Sequence, residues 1–335
     1  MQRTTLMLTV SGLLTIGLGS WLYAADSPAP AKADAPKAPA AKPAEEPDDG
    51  IQGVYAGADG GKAEVIGLGG GAYKVLLKSG EAKIELSGQL EGGKVALTGQ
   101  AAGGTIADKK MTVAVSGAKR ELAYTMPKSP TEGAKPPPGA VVLMPYEEGK
   151  KSSLDAWTNM KGEPAAWLLL DDGSVQVKGG NIKTKQALGN VRLHVEFRCP
   201  YMPAARGQGR GNSGVYLQSR YETQVLDSFG LAPKDNECGG IYSVAAPKVI
   251  ASFPPACWQT YDITFAAPEV KDGKITKPAV MTVEHNGVKI HENVKIDHVT
   301  TAGVAGPIVT PAPLMLQDHG NPVRYRNLWL VELKD

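Results

Sequence analysis

Short runs of alternating apolar and polar residues, each closed by Gly, Asn or Pro, recur from Ile51 almost to the end of the chain, and past the N-terminus no apolar stripe follows the helical period. Successive strand side chains point to opposite faces, so this pattern restricts the chain to half-buried strands joined by tight turns. The clearest case is Asn190 to Gly230. Val191, Leu193, Val195 and Phe197 fall on one face, and Arg192, His194, Glu196 and Arg198 fall on the other. A Gly/Arg-rich loop follows, and Gly214 to Asp227 then adds Arg220, Glu222, Gln224 and Asp227 to what reads as the same neighbourhood. One face would pack a core, and the other could hold a polar ligand. The 40 Gly and 25 Pro residues of the chain fit many turns and few helices.

The pattern divides the chain. Arg3 precedes an apolar run from Leu6 to Tyr23, and Ala24-Ala25 offers small residues for cleavage, so residues 1–25 read as a signal peptide. The folded part is then expected to be exported to the periplasm, the cell surface or the medium. An uncleaved anchor, the one route to a membrane association, is the rival for this segment. Residues 26–49 are almost wholly Ala, Pro, Lys, Asp and Glu, a composition that buries too little apolar surface to offset ordering entropy, and they read as a disordered tether. Residues 50–127 hold runs such as GKAEVIGL, AKIELSGQL and KKMTVAVSG at intervals of about ten residues, the spacing of hairpins. They predict a small Gly-rich antiparallel sheet or barrel, poor in residues that carry chemistry. GLGGGAYK lies within this hairpin-rich part rather than at a strand-to-helix turn, so no dinucleotide fingerprint is present. KSPTEGAKPPPG, residues 128–139, is a Pro-rich connector.

Residues 140–335 contain all five His, all three Cys, all four Phe and four of the five Trp. About ten short strands can be read here, including Val191 to Arg198, Glu222 to Leu226 and Tyr325 to Leu333, and His285-Asn286-Gly287-Val288 is a two-residue hairpin signal. Strands without intervening helices predict an all-β sandwich. A net charge of +2 gives no reason to expect nucleic acid, and a small neutral partner fits better. Cys199, Cys238 and Cys257 are an odd set. In an exported protein Cys238 could pair with Cys257, or all three could be small buried residues.

Several separated motifs occur in one order: Asn212-Ser213-Gly214-Val215, Tyr221-Glu222-Thr223-Gln224-Val225-Leu226-Asp227, Gly240-Ile241-Tyr242, Trp258-Gln259-Thr260-Tyr261, Gln317-Asp318-His319-Gly320 and Arg324-Tyr325-Arg326-Asn327-Leu328-Trp329. With LDAWTN and LHVEFR they resemble the DUF1080 or 3-keto-disaccharide hydrolase family, also described as 3-keto-glucoside 1,2-lyase/3-keto-2-hydroxy-glucal hydratase, over residues 140–335. The resemblance implies a concanavalin A-like jelly-roll sandwich acting on glycosides whose C3 hydroxyl has been oxidised to a ketone. A separate sugar 3-dehydrogenase would supply that ketone. A C3 ketone acidifies the C2 proton, so a base can remove it, the enolate can expel the C1 substituent, and water can add to the enone. Such chemistry needs a base near C2, a cationic or metal stabiliser near the C3 oxygen, and an acid near the leaving group.

By residue type and place, Glu222 is the first candidate for base or metal ligand. Asp227 is the second, and reaches that face only if the chain bulges near Leu226. Glu222 could instead pair with Arg198 or Arg220. His319 could serve as acid, base or ligand, and Arg324 as the enolate stabiliser. Glu196, Arg198, Asn212, Gln224 and Tyr242 are expected to bind substrate. A divalent metal on Glu222, Asp227 and His319 is a further possibility. A lectin-like glycan binder and a cell-surface scaffold are the alternatives to an enzyme.

Overall fold

The computed structural model describes residues 44–79, 82–100 and 102–334. The expected signal peptide and most of the tether lie outside them. Eight strands (β1 to β8: Gly53–Ala56, Lys62–Gly69, Ala72–Ser79, Ala82–Glu91, Lys94–Thr98, Ala102–Ala107, Lys110–Val115 and Ala118–Thr125) pair in chain order, and β8 returns to β1 to close a barrel. Alternation explains the closure. In β5, Val95 and Leu97 are buried while Lys94, Ala96 and Thr98 are exposed. Tyr55, Val65, Val75, Leu77, Leu86 and Met111 join them to fill the interior. A closed barrel leaves no unpaired strand edge.

The rest of the chain forms two sheets packed on one core. A five-stranded sheet runs β10 (Trp157–Asn159), β13 (Ile182–Leu188), β22 (Ala312–Leu316), β15 (Ser213–Leu217) and β16 (Tyr221–Val225). The larger sheet runs β11 (Leu168–Leu169), β12 (Val175–Gln176), β23 (Arg324–Glu332), β14 (Val191–Arg198), β17 (Gln259–Ala266), β20 (Ala279–His285) and β21 (Val288–Ile296), with β9 (Val141–Met144) also on β23. A two-stranded ribbon, β18 (Glu269–Lys271) and β19 (Lys274–Lys277), stands apart. Val191, Leu193, Val195 and Phe197 of β14 meet Tyr221 and Val225 of β16 in the shared core. The fold is therefore all-β, as the alternation predicts. The turn between β20 and β21 is the Asn286-Gly287 turn, with φ of 52° and 76°. All three cysteines are free and buried, the second of the two arrangements the sequence allows, and Cys238 and Cys257 form no bridge. Cys238 Sγ instead lies 3.2 Å from the Tyr261 hydroxyl, and Cys257 Sγ 3.3 Å from Met126 Sδ.

Two segments read as linkers are tied down. Within the expected tether, Glu46 N donates to Tyr201 O at 2.8 Å, and Asp49 accepts from the hydroxyls of Tyr73 in the barrel and Tyr201 in the sandwich. The Pro-rich connector lies on the outward face of the larger sheet: Thr131 Oγ1 donates to Asp262 at 2.8 Å, Gly133 N to Glu196 at 2.6 Å, and Trp329 Nε1 to Ala134 O at 3.2 Å. Beneath this strap Arg326 bonds Glu196 at 2.7 Å and Glu132 at 2.9 Å, between the rings of Tyr146 and Trp258. Removing one partner of a buried ion pair leaves an uncompensated charge. Glu196→Ala is therefore expected to destabilise the protein by about 3–5 kcal/mol in denaturant titration.

Candidate active site

The outward face of the five-stranded sheet carries Gly214 and Tyr216 on β15 and Glu222 and Gln224 on β16. Antiparallel register sets Gly214 opposite Gln224 and Tyr216 opposite Glu222. Gln317, just past β22, docks beside them through its N–H on Gly214 O at 3.0 Å. A Cβ on Gly214 would come within 2.5 Å of Glu222 Oε1 and 2.6 Å of a Tyr216 ring carbon, so only glycine leaves room for both side chains. Loops build the walls. The chain at Gly239–Gly240 pairs with Gln224 and brings up Tyr242, and Thr301 bonds Ser243 at 3.1 Å. Gln208 and Asn212 come from the Gly/Arg loop, and His319 from the turn after β22. Together these groups line a cavity of about 240 Å³.

Glu222 is 2% exposed. Burial pushes its carboxyl up to about 7, opposed in part by a hydrogen bond from the Tyr216 hydroxyl. No ion pair involves it among the described residues, which sets aside the pairing with Arg198 or Arg220. The Tyr216 hydroxyl also accepts from Gln317 Nε2 at 3.0 Å. Burial, and then the charge of Glu222, raise the tyrosine's own pKa. A buried carboxyl that titrates near neutrality beside a fixed phenol is suited to proton transfer.

Of the residues expected from the sequence, Glu222, Gln224, Asn212, Tyr242 and His319 line this one cavity. Four others do not. Asp227 follows the end of β16 and turns away, where its carboxylate takes Arg210 Nε at 2.6 Å. Arg324 starts β23 in the other sheet and meets Asp172 at 3.4 Å and Glu45 at 3.9 Å. Glu196 and Arg198 are on the outward face of β14, across the core from Glu222. Glu196 is bound to Arg326, Asn327 and the strap, and Arg198 is half-buried with its pKa lowered by burial and by Arg324. Arg324, Glu196 and Arg198 share one physical reason: alternation assigns a side chain to a face, but β14 and β23 belong to a different sheet from β16. The metal set Glu222, Asp227 and His319 is broken by the same turn at Asp227, and the described residues contain no cluster of three or more His, Cys, Asp or Glu side chains able to hold a metal. Gln208 and Tyr216 were not foreseen. The hairpin pairing of SGVYL with YETQV would have found Tyr216, since it places that residue opposite Glu222.

An all-β protein with a small pocket rich in amides and one buried carboxyl has the makings of a carbohydrate-active protein. Residues 140–331 match the sequence profile of the 3-keto-alpha-glucoside-1,2-lyase-like domain, and the chain belongs to that family. The crystal structure of a provisionally named glycosyl hydrolase from Parabacteroides distasonis is similar at 33% identity and a TM-score of 0.52, over 58% of this chain and 84% of that one. Another structure so named, from the same organism, matches at 20% identity and a TM-score of 0.40, over 56% of this chain and 92% of that one. No curated protein matches the chain significantly.

Because Glu222 has a folded-state pKa raised from 4.5 to about 7, its contribution to stability is fully present below the unfolded value and is lost as the pH rises through the folded one. Glu222→Gln cannot ionise. Its stability relative to the wild type should therefore increase by on the order of 3 kcal/mol between about pH 4 and about pH 8, measured by denaturant titration at each pH. A pH-independent difference would mean that Glu222 titrates normally.

Proposed function

We propose that the protein cleaves 3-keto-glycosides by elimination and hydration, with Glu222 as the base that removes the C2 proton. The observation that carries this reading is the isolated Glu222 carboxyl, buried at the floor of a sugar-sized cavity and titrating near 7. The C2–H electron pair forms the enolate, the enolate expels the C1 substituent, and water adds to C1 of the enone, so the net result is hydrolysis. An ordinary glycosidase would instead set two carboxyl groups across the bond. Among the described residues lining the cavity, Glu222 is the one acidic side chain. In this reading His319 gives the leaving group its proton, and the Tyr216 hydroxyl takes over the oxyanion-facing role expected of Arg324. Asn212, Gln224 and Tyr242 hold the ring.

A jelly-roll course of the sandwich strands belongs to the same reading, supported by two packed antiparallel sheets. Export is supported by the apolar run from Leu6 to Tyr23 after Arg3. The substrate is the product of a separate oxidoreductase that makes the C3 ketone.

Release of aglycone from a 3-keto-glucoside should rise with pH through an inflection near 7, because the base must be ionised. Glu222→Gln should lose about 10²–10⁴ of kcat, and Arg324→Ala should keep near wild-type kcat. Equal release by Glu222→Gln, or equal cleavage of the unoxidised glycoside, contradicts the assignment. Glycan binding without cleavage of either sugar would make the protein a lectin.

A further inference from the structure

Two amide side chains on the cavity wall, Gln208 and Asn212, are oriented by the backbone and a third, Gln224, by Gln208, and their orientation fixes what they can accept. Gln208 Nε2 donates to Asn236 O at 2.8 Å. A backbone carbonyl can only accept, so Gln208 Oε1 must face the other way. That oxygen takes Asn212 Nδ2 at 3.0 Å and Gln224 Nε2 at 2.9 Å. Asn212 Nδ2 also donates to Gln208 O at 2.8 Å, a second backbone acceptor that fixes the Asn212 amide independently. Both N–H groups of Asn212 Nδ2 and one of Gln224 Nε2 are thereby committed to Gln208, which leaves Asn212 Oδ1 and Gln224 Oε1 as the free oxygen ends. Asn212 is 2% and Gln224 1% exposed, and neither oxygen has a hydrogen-bond partner in the protein. Buried acceptors without donors are rare and costly, and both of these residues line the cavity that Glu222 occupies.

We propose that Gln208 is a positioning residue that sets the specificity of the site, by locking Asn212 and Gln224 so that their two carbonyl oxygens demand hydrogen-bond donors from the ligand. The inference rests on the reading that the cavity takes a sugar, and it narrows the class of sugar. Free hydroxyls donate. A ketone and a glycosidic ether oxygen only accept, so neither is tolerated against this wall. The oxidised carbon and the scissile bond must then turn toward Glu222 and Tyr216, while unoxidised hydroxyls of the same ring lie on Asn212 and Gln224. A ring whose remaining hydroxyls are etherified or missing is rejected, because a hydrogen-bonding site discriminates strongly against an analogue that leaves its buried groups unpaired.

The test uses the full chain with 3-keto-glucosides in which the 4- or 6-hydroxyl is replaced by fluorine, which cannot donate. In the wild type, fluorine at one or both positions should raise KM about tenfold or more with little change in kcat. Gln208→Leu should weaken the parent substrate and shrink to less than about threefold the fluorine penalty at the position that meets Gln224, since that amide is then free to turn while Asn212 stays held by the backbone carbonyl of residue 208. Wild-type indifference to both fluorinated sugars, or an undiminished penalty in Gln208→Leu, overturns the inference. Should no 3-keto-glucoside be cleaved, calorimetric binding of methyl glucoside and its 4- and 6-fluoro forms decides it separately. Donor-dependent binding upholds the amide wall while the catalytic reading falls, and donor-independent or absent binding overturns both.

Discussion

The buried pair of Arg210 and Asp227, 2.6 Å apart, is the contact on which the site depends. It is doubled by the backbone, since Asp227 N donates to Arg210 O at 3.1 Å. The two residues close the Gly/Arg loop onto the end of β16, and that loop delivers Gln208 and Asn212 to the cavity. The barrel grips the same loop from the other side. Arg206 Nη2 donates to Leu68 O at 2.7 Å and Arg210 Nη1 to Gly67 O at 3.3 Å. A Cβ on Gly67 would come within 2.4 Å of the Tyr201 hydroxyl, so the glycine permits this close approach. The barrel thus buttresses a wall of the site. The Asp227 carboxylate faces Arg210 rather than the cavity.

Two buried glutamates show how surroundings divide structural from chemical roles. Burial alone would raise both. Around Glu196 it is outweighed by hydrogen bonds from His194, Asn327 and Gly133 N, and by the Arg326 guanidinium, so the carboxyl is held below its usual range. Glu222 has only the Tyr216 hydroxyl to oppose burial and rises to about 7. Glu196 is a permanent anion that fastens the strap to β14 and β23. Glu222 can exchange a proton near neutral pH, as two carboxyls in contrasting surroundings do in other enzymes.

Much of the fold could be read from the sequence, because period-two alternation and Gly or Asn turns are local. The runs at β14, β16, β20 and β23 were visible for that reason. Strand β13 was not, since a register shift between Lys183 and Ala187 breaks its alternation and exposes Lys185 and Gln186. Strands β10 and β11, with three residues or fewer, are also too short to show a period, whereas β12 lies within the run Val175 to Val177 that the sequence marks as a strand. At the site, Glu222, Gln224, Asn212, Tyr242 and His319 were legible as types in motifs. Which sheet each strand joins is a long-range property, and that is why Glu196, Arg198 and Arg324 were drawn to the wrong side of the core. Gln208 is the middle residue of a single 3-10 turn, Gly207–Gly209, in a loop with no period to read.

The central claim is that cleavage begins with proton loss from C2 to Glu222. A 3-keto-glucoside carrying deuterium at C2 tests it most directly, with the fate of the label followed by mass spectrometry as aglycone is released. Transfer of the deuterium from carbon to solvent, with slower release than from the protium substrate and neither effect in Glu222→Gln, is the predicted result. Aglycone release with deuterium retained at C2 would contradict it.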